Sequence, residues 1–161
     1  MARLSFRSAV DQSPVWLAIR RPDQPAILIA DPDRETRAIL ADDLEALDCD
    51  VFIAHDTEDL VQEAADLWPH VIVVDLTAAE PTAWEAIARL RQSSWTSGIR
   101  IIAISDEPEV RERAFETGCD AFLTKPFTPQ VLRAQIRALT EPHECRSIRR
   151  ETPSVPIRPA A

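Results

Sequence analysis

Glycine and lysine are nearly absent from this 161-residue chain, which holds two of the first, Gly98 and Gly118, and a single copy of the second, Lys125. With so little glycine, few positions can demand a positive φ, and a glycine-rich nucleotide-binding loop is excluded. Cysteine is also sparse. Cys49, Cys119 and Cys145 are odd in number and follow no metal-ligand spacing, which suits free thiols in a reducing cytoplasm rather than a disulfide framework. Long apolar runs are missing too. The opening MARLSFRSAVDQSPVWLAIRR holds no stretch long enough for a signal peptide or a membrane span, so a soluble, cytoplasmic protein is expected. No internal repeat is present.

What the chain does have is enough apolar content, 45%, to bury one core. Its charge is unevenly spread. The whole sums to −9, residues 1–22 to +3 and residues 142–161 to +2, so the middle carries −14. An acidic body of that kind repels nucleic acid and disfavours direct DNA binding. The expected organisation is an N-terminal extension (1–22), one folded domain (23–141) and a flexible, proline-bearing C-terminal tail (142–161), too short for a DNA-binding output domain. Within the first arm, Trp16, Leu17 and Ile19 of SPVWLAI (13–19) mark a segment expected to dock onto the body or a second copy of the chain, against the alternative of disorder.

The middle alternates. AILIA (26–30), DVFIA (50–54), VIVVD (71–75), RIIAIS (100–105) and AFL (121–123) read as strands, and their nearly unbroken apolar character fits a parallel sheet covered on both faces. Helical spacing lies between them: Leu40, Leu44 and Leu47; Ala83, Ile87 and Leu90; Leu132, Ile136 and Leu139. Thr57 is expected to cap one helix, Gly118 to close another, and Thr128 with Pro129 to open the last. The expected fold is an open, doubly wound α/β domain with five parallel strands. Ligands in such sheets bind beyond the C-terminal strand ends. Those ends bring Asp31, with Asp33 close behind, Asp75, Ser105, and Lys125 after Thr124 to one rim. Clustered carboxylates there need a compensating cation, and oxygen donors suit Mg²⁺.

This set, ILIAD ending in Asp31, VIVVD ending in Asp75, Ser105, and GCDAFLTKPF around Lys125, resembles the receiver domain of bacterial two-component response regulators over about residues 25–140. The resemblance implies the flavodoxin-like strand order 2-1-3-4-5 and makes Asp75 the acceptor of a phosphoryl group from a histidine kinase or phosphotransfer protein. It implies that Ser105 bonds the phosphoryl oxygen, that Lys125 pairs first with the acceptor and then with the phosphate, and that the Lys125–Pro126 bond is cis. Lysine suits that task because its compact ammonium swings on a flexible stem, where a guanidinium would crowd the pocket. Metal ligation falls by the same resemblance to Asp31, Asp75 and the Thr77 backbone carbonyl. Asp33 is read first as a helix cap and second as a ligand. Phe122 aligns with the family's switch aromatic, the alternative being a core side chain.

Four departures from the family pattern bear on function, one of them a loop after Ser105 about two residues shorter than typical. Pro32 stands where receivers carry a second acid that ligates the metal, so weak Mg²⁺ binding is expected. The segment after Asp75 lacks the family's Met-Pro pair, and Ala83 replaces a common glycine. Two readings follow: a phosphoacceptor regulator that signals to a downstream protein and is not itself an enzyme, favoured by Asp75, Ser105 and Lys125; and a degenerate receiver acting as a phosphorylation-independent interaction module, favoured by Pro32. His55, His70 and His143 are read as incidental.

Overall fold

Each of the five apolar runs forms a strand. A computed structural model of the chain describes residues 24–141; the docking expected of segment 13–19 and the character expected of both arms lie outside the described residues. In chain order the elements are β1 (Ala26–Ala30), α1 (Arg34–Glu45), β2 (Asp50–Ile53), α2 (Leu60–Leu67), β3 (Val71–Asp75), α3 (Pro81–Gln92), β4 (Arg100–Ser105), α4 (Arg111–Thr117), β5 (Ala121–Thr124) and α5 (Pro129–Thr140). The strands make one parallel sheet in the order β2-β1-β3-β4-β5. This is the expected topology.

Alternation along the strands divides the core into two layers. Ile27, Ile29, Val73, Ile102 and Ile104 face one way and pack with Leu40 and Leu44 of α1 and Leu132 and Ile136 of α5. Leu28, Ile72, Val74, Ile101 and Ala103 face the other way, against Leu60 and Ala64 of α2, Ala83, Trp84 and Ile87 of α3, and Ala114 of α4. A strand buried on both sides has no polar face to show, which is why β1 and β3 read as continuous apolar runs.

Local chemistry sets the helix ends. The Asp33 carboxylate accepts from the Thr36 amide at 2.9 Å and opens α1. Thr128 does the same for α5, accepting from the Val131 amide, with Pro129 in the first turn where its missing N–H costs nothing. Gly118, at φ 121°, ends α4. Thr57, in contrast, is not a cap. The chain turns once more before α2, because the Asp56 carboxylate accepts from the Asp59 amide at 2.8 Å, and Asp59 occupies the cap position before Leu60. Leu47 continues the leucine spacing but lies beyond α1, in the turn that leads to β2.

Behind the site, one side chain ties two loops. The Arg91 guanidinium donates to the carbonyls of Gly118 at 2.8 Å, Ser97 at 2.9 Å and Ile99 at 2.7 Å, and to the Asp120 carboxylate at 2.8 Å. Asp120 in turn accepts from the Ile101 amide at the start of β4. Because Arg91 lies so close, a Cβ on Gly118 would sit 2.7 Å from its Cγ. Glycine is required there twice over, for φ and for room.

Candidate functional site

The strand register brings the expected side chains together. Asp75 is the last residue of β3 and is level with Ile104; Ser105, one step on, is level with Thr124, and the Lys125 amide donates to the Ser105 carbonyl at 2.8 Å. Lys125 thus follows the end of β5, and the Lys125–Pro126 bond is cis, as expected. Its ammonium lies 2.7 Å from Asp75 Oδ1 and 3.7 Å from Asp31 Oδ2. Burial works against this ammonium, but the hydrogen bond to Asp75 and the charges of Asp75, Asp31 and Asp106 outweigh it and raise its pKa. It is a fixed cation at any physiological pH.

Asp31 follows β1 and is 4% exposed. Its Oδ1 accepts from the Asp33 amide at 2.8 Å, and its carbonyl from the Arg37 guanidinium at 2.8 Å. Its Oδ2 is buried with no hydrogen-bond partner among the described residues. Desolvation, with repulsion from Asp75 and Asp33, raises its pKa against the opposing pull of the Asp33 amide and Lys125. Asp33 is taken up in capping α1: the hydrogen bonds from Thr36 hold its carboxylate below the usual range. Pro32, between them, is exposed and carries no donor.

Ser105 is fully buried, and its Oγ accepts from the Glu107 amide at 3.0 Å, which leaves the hydroxyl hydrogen available to an incoming oxygen. Two contacts on the neighbouring loop were not visible in the sequence. Glu107 Oε2 accepts from the Ala78 amide at 3.1 Å, linking the loops after β3 and β4, and the Trp84 indole N–H donates to the Thr77 carbonyl at 2.8 Å. No periodicity or motif announces a loop-to-loop bond. Phe122, 8% exposed, belongs to the core layer with Ala114 and Val110. Its side chain already lies inward.

Does this set fit a hard cation? Among the described residues no three His, Cys, Asp or Glu side chains gather as a metal cluster. What stands at the adjacent ends of β1 and β3 is the Asp31 carboxylate, one oxygen of which has no hydrogen-bond partner among the described residues, and the Asp75 carboxylate. Mg²⁺ keeps several waters and takes one or two carboxylates, so a donor set of this kind fits it. Two cavities, of about 470 and 550 Å³, lie at the other end of the sheet, lined by His70 and Arg100 and by Gln24 and Pro25.

The model of the response regulator receiver domain family matches residues 27–137. The chain belongs to this family. The receiver is 34% identical over 116 residues to the transcriptional regulatory protein CpxR of Escherichia coli K12, an alignment covering 70% of this chain and 48% of CpxR. It spans about half the length of the curated relatives it matches. Its fold matches that of a putative response regulator from Chloroflexus aurantiacus, with a TM-score of 0.67 at 23% identity over 73% of this chain and 98% of that one. It also matches the receiver domain of the sensor histidine kinase PA1611 of Pseudomonas aeruginosa, solved with magnesium in its active site cleft, with a TM-score of 0.64 at 20% identity over 73% of this chain and 98% of that one. Receivers as a family take phosphate on an aspartate and bind Mg²⁺. Among the described residues of this receiver, no helix is long and apolar enough to cross a membrane.

Proposed function

We propose that this receiver accepts a phosphoryl group on Asp75 from the phosphohistidine of a sensor kinase or phosphotransfer protein in the cytoplasm, and passes the signal on through protein contacts. The observation that carries the reading is the Lys125 ammonium, 2.7 Å from Asp75 and held between it and Asp31. In the transfer, an Asp75 oxygen attacks phosphorus as the P–N bond to the donor imidazole breaks, and the imidazole nitrogen leaves with the electron pair and takes up a proton. Little covalent work falls to the protein; positioning and charge neutralisation dominate. Lys125 follows the charge from the carboxylate to a phosphoryl oxygen. The Ser105 hydroxyl donates to a second oxygen. Asp31, Asp75 and the Thr77 carbonyl would hold Mg²⁺, which when bound neutralises charge on the transferred oxygens. The chain acts on no other substrate, assisting only its own phosphorylation and dephosphorylation.

The test is incubation with Mg²⁺ and a small phosphodonor, read by intact mass. One phosphate adduct is expected on the wild type and none on Asp75→Asn. A wild type that stays unmodified would favour the second reading, an interaction module that works without phosphate. That reading draws on Pro32, which stands where the family carries a second acid. The acidic body directs either function toward protein rather than DNA.

A further inference from the structure

Trp84 stands in the first turn of α3, seven residues after Thr77, and is 4% exposed. It touches two parts of the molecule at once. The edge of its ring donates a hydrogen bond to the Thr77 carbonyl at 2.8 Å, and the Arg113 guanidinium of α4 lies over its face, 4.1 Å from the ring centroid. An indole N–H can only donate, and a carbonyl has two lone pairs, so the bond fixes the direction of the carbonyl while leaving one lone pair for a cation. Breaking it would strand a buried donor, which makes the arrangement hard to relax. The cation on the face is held by the ring quadrupole and is itself exposed on α4. Phe122, the side chain that the resemblance assigns to switching, is already inward, in the same buried layer as Trp84.

We propose that Trp84 is a positioning residue that couples the loop after the phosphoacceptor to the surface of α4, with Arg113 as the exposed end of the couple. Coupling of this kind is reciprocal. A cation drawn onto the Thr77 carbonyl changes the hold on Arg113, and an acidic partner that lifts Arg113 from the ring changes the carbonyl. The use of the couple in signalling rests on the phosphoacceptor reading, but its existence is a property of the metal-free chain. The two can fail separately.

The experiment is NMR on the full chain, following the Thr77 carbonyl carbon and the Trp84 indole N–H. In the metal-free protein, Arg113→Ala is expected to move both resonances, that of Thr77 through the Trp84 ring. Arg111→Ala is the control, because Arg111 lies over Phe115 on the same helix at 5.6 Å and not over Trp84; it should leave Thr77 in place. Adding Mg²⁺ should shift the indole N–H of the wild type. Trp84→Phe, which keeps an apolar ring and loses only the donor and some area, should fold and bind Mg²⁺ about three- to tenfold more weakly, the worth of one hydrogen bond. A Thr77 carbonyl that ignores Arg113→Ala, or responds equally to Arg111→Ala, overturns the coupling. A wild type that fails to phosphorylate overturns only the phosphoacceptor reading, since the metal-free measurement still decides the couple.

Discussion

Asp31 is a charge that the fold has taken out of water and left half satisfied, and its chemistry can be tested by substitution. Its folded pKa is raised, chiefly by desolvation, so below the ordinary aspartate range the carboxyl is neutral in both states and costs nothing. As pH rises from about 4 toward the raised folded value the native state binds more protons than the unfolded one, so stability falls, and above that value the loss is complete. Asp31→Asn is therefore expected to stabilise the protein at neutral pH, a gain that disappears in acid, as measured by urea melts across pH. The same variant should lose Mg²⁺ binding. Pro32 is the complementary case. Restoring a carboxylate with Pro32→Asp should tighten Mg²⁺ by about tenfold and speed modification of Asp75, read by tryptophan fluorescence and intact mass. Equal affinities would mean that position 32 does not face the metal, and the alignment of that loop would have to be redrawn.

Arg91 and Asp120 join the end of α3 to the loops before β4 and β5, and the prediction follows from what their loss would strand. Arg91→Ala removes four hydrogen bonds and leaves a half-buried carboxylate without its strongest partner. Arg100 lies 3.4 Å from the other Asp120 oxygen and offers partial relief. A loss of about 2–4 kcal/mol is expected, measured by chemical denaturation, with the m-value unchanged. Neither Arg91 nor Asp120 stands out in the sequence, because no spacing links the two. Strands β1, β3 and β4 were legible to the residue because burial on both faces writes itself as an unbroken apolar run, and α5 because threonine and proline mark its start. The start of α2 was misread: an Asx-type turn at Asp56 moved it past Thr57. Contacts such as Trp84 with Thr77, or Glu107 with Ala78, join residues whose separation carries no period, and only the folded chain discloses them.

Taken as one body, the domain hides its thiols. Cys49 lies in the layer under α1 and α5 and Cys119 in the layer under α2, α3 and α4, both free and both buried. Burial raises both pKa values, that of Cys119 to about 12, so neither forms an appreciable thiolate at neutral pH. In a Cys145→Ser background, maleimide labelling of both should be blocked in the native protein and should appear together as denaturant unfolds it, because each sits in one of the two layers that the sheet holds together. Labelling of one cysteine well before the other would show that the layers open separately, and would argue against a single cooperative unit. The candidate site was legible at the same coarse grain as the fold. Asp31, Asp75, Ser105 and Lys125 follow from their places at strand ends, whereas the Asp33 carboxylate, equally close in sequence, had two uses open to it, and the structure shows it bonded to Thr36.

The lone lysine also has a practical side. Every other cationic side chain that is charged at all pH values is a guanidinium, so Lys125 is the sole side-chain amine in the chain. Reductive methylation with ¹³C-formaldehyde would thus label the candidate site and, besides it, only the α-amino group. The dimethylated ammonium keeps its charge and retains one N–H, directed between two carboxylates. Its carbon signal would report, from a single known position, the arrival of a cation, the transfer of phosphate and the return to the resting pair.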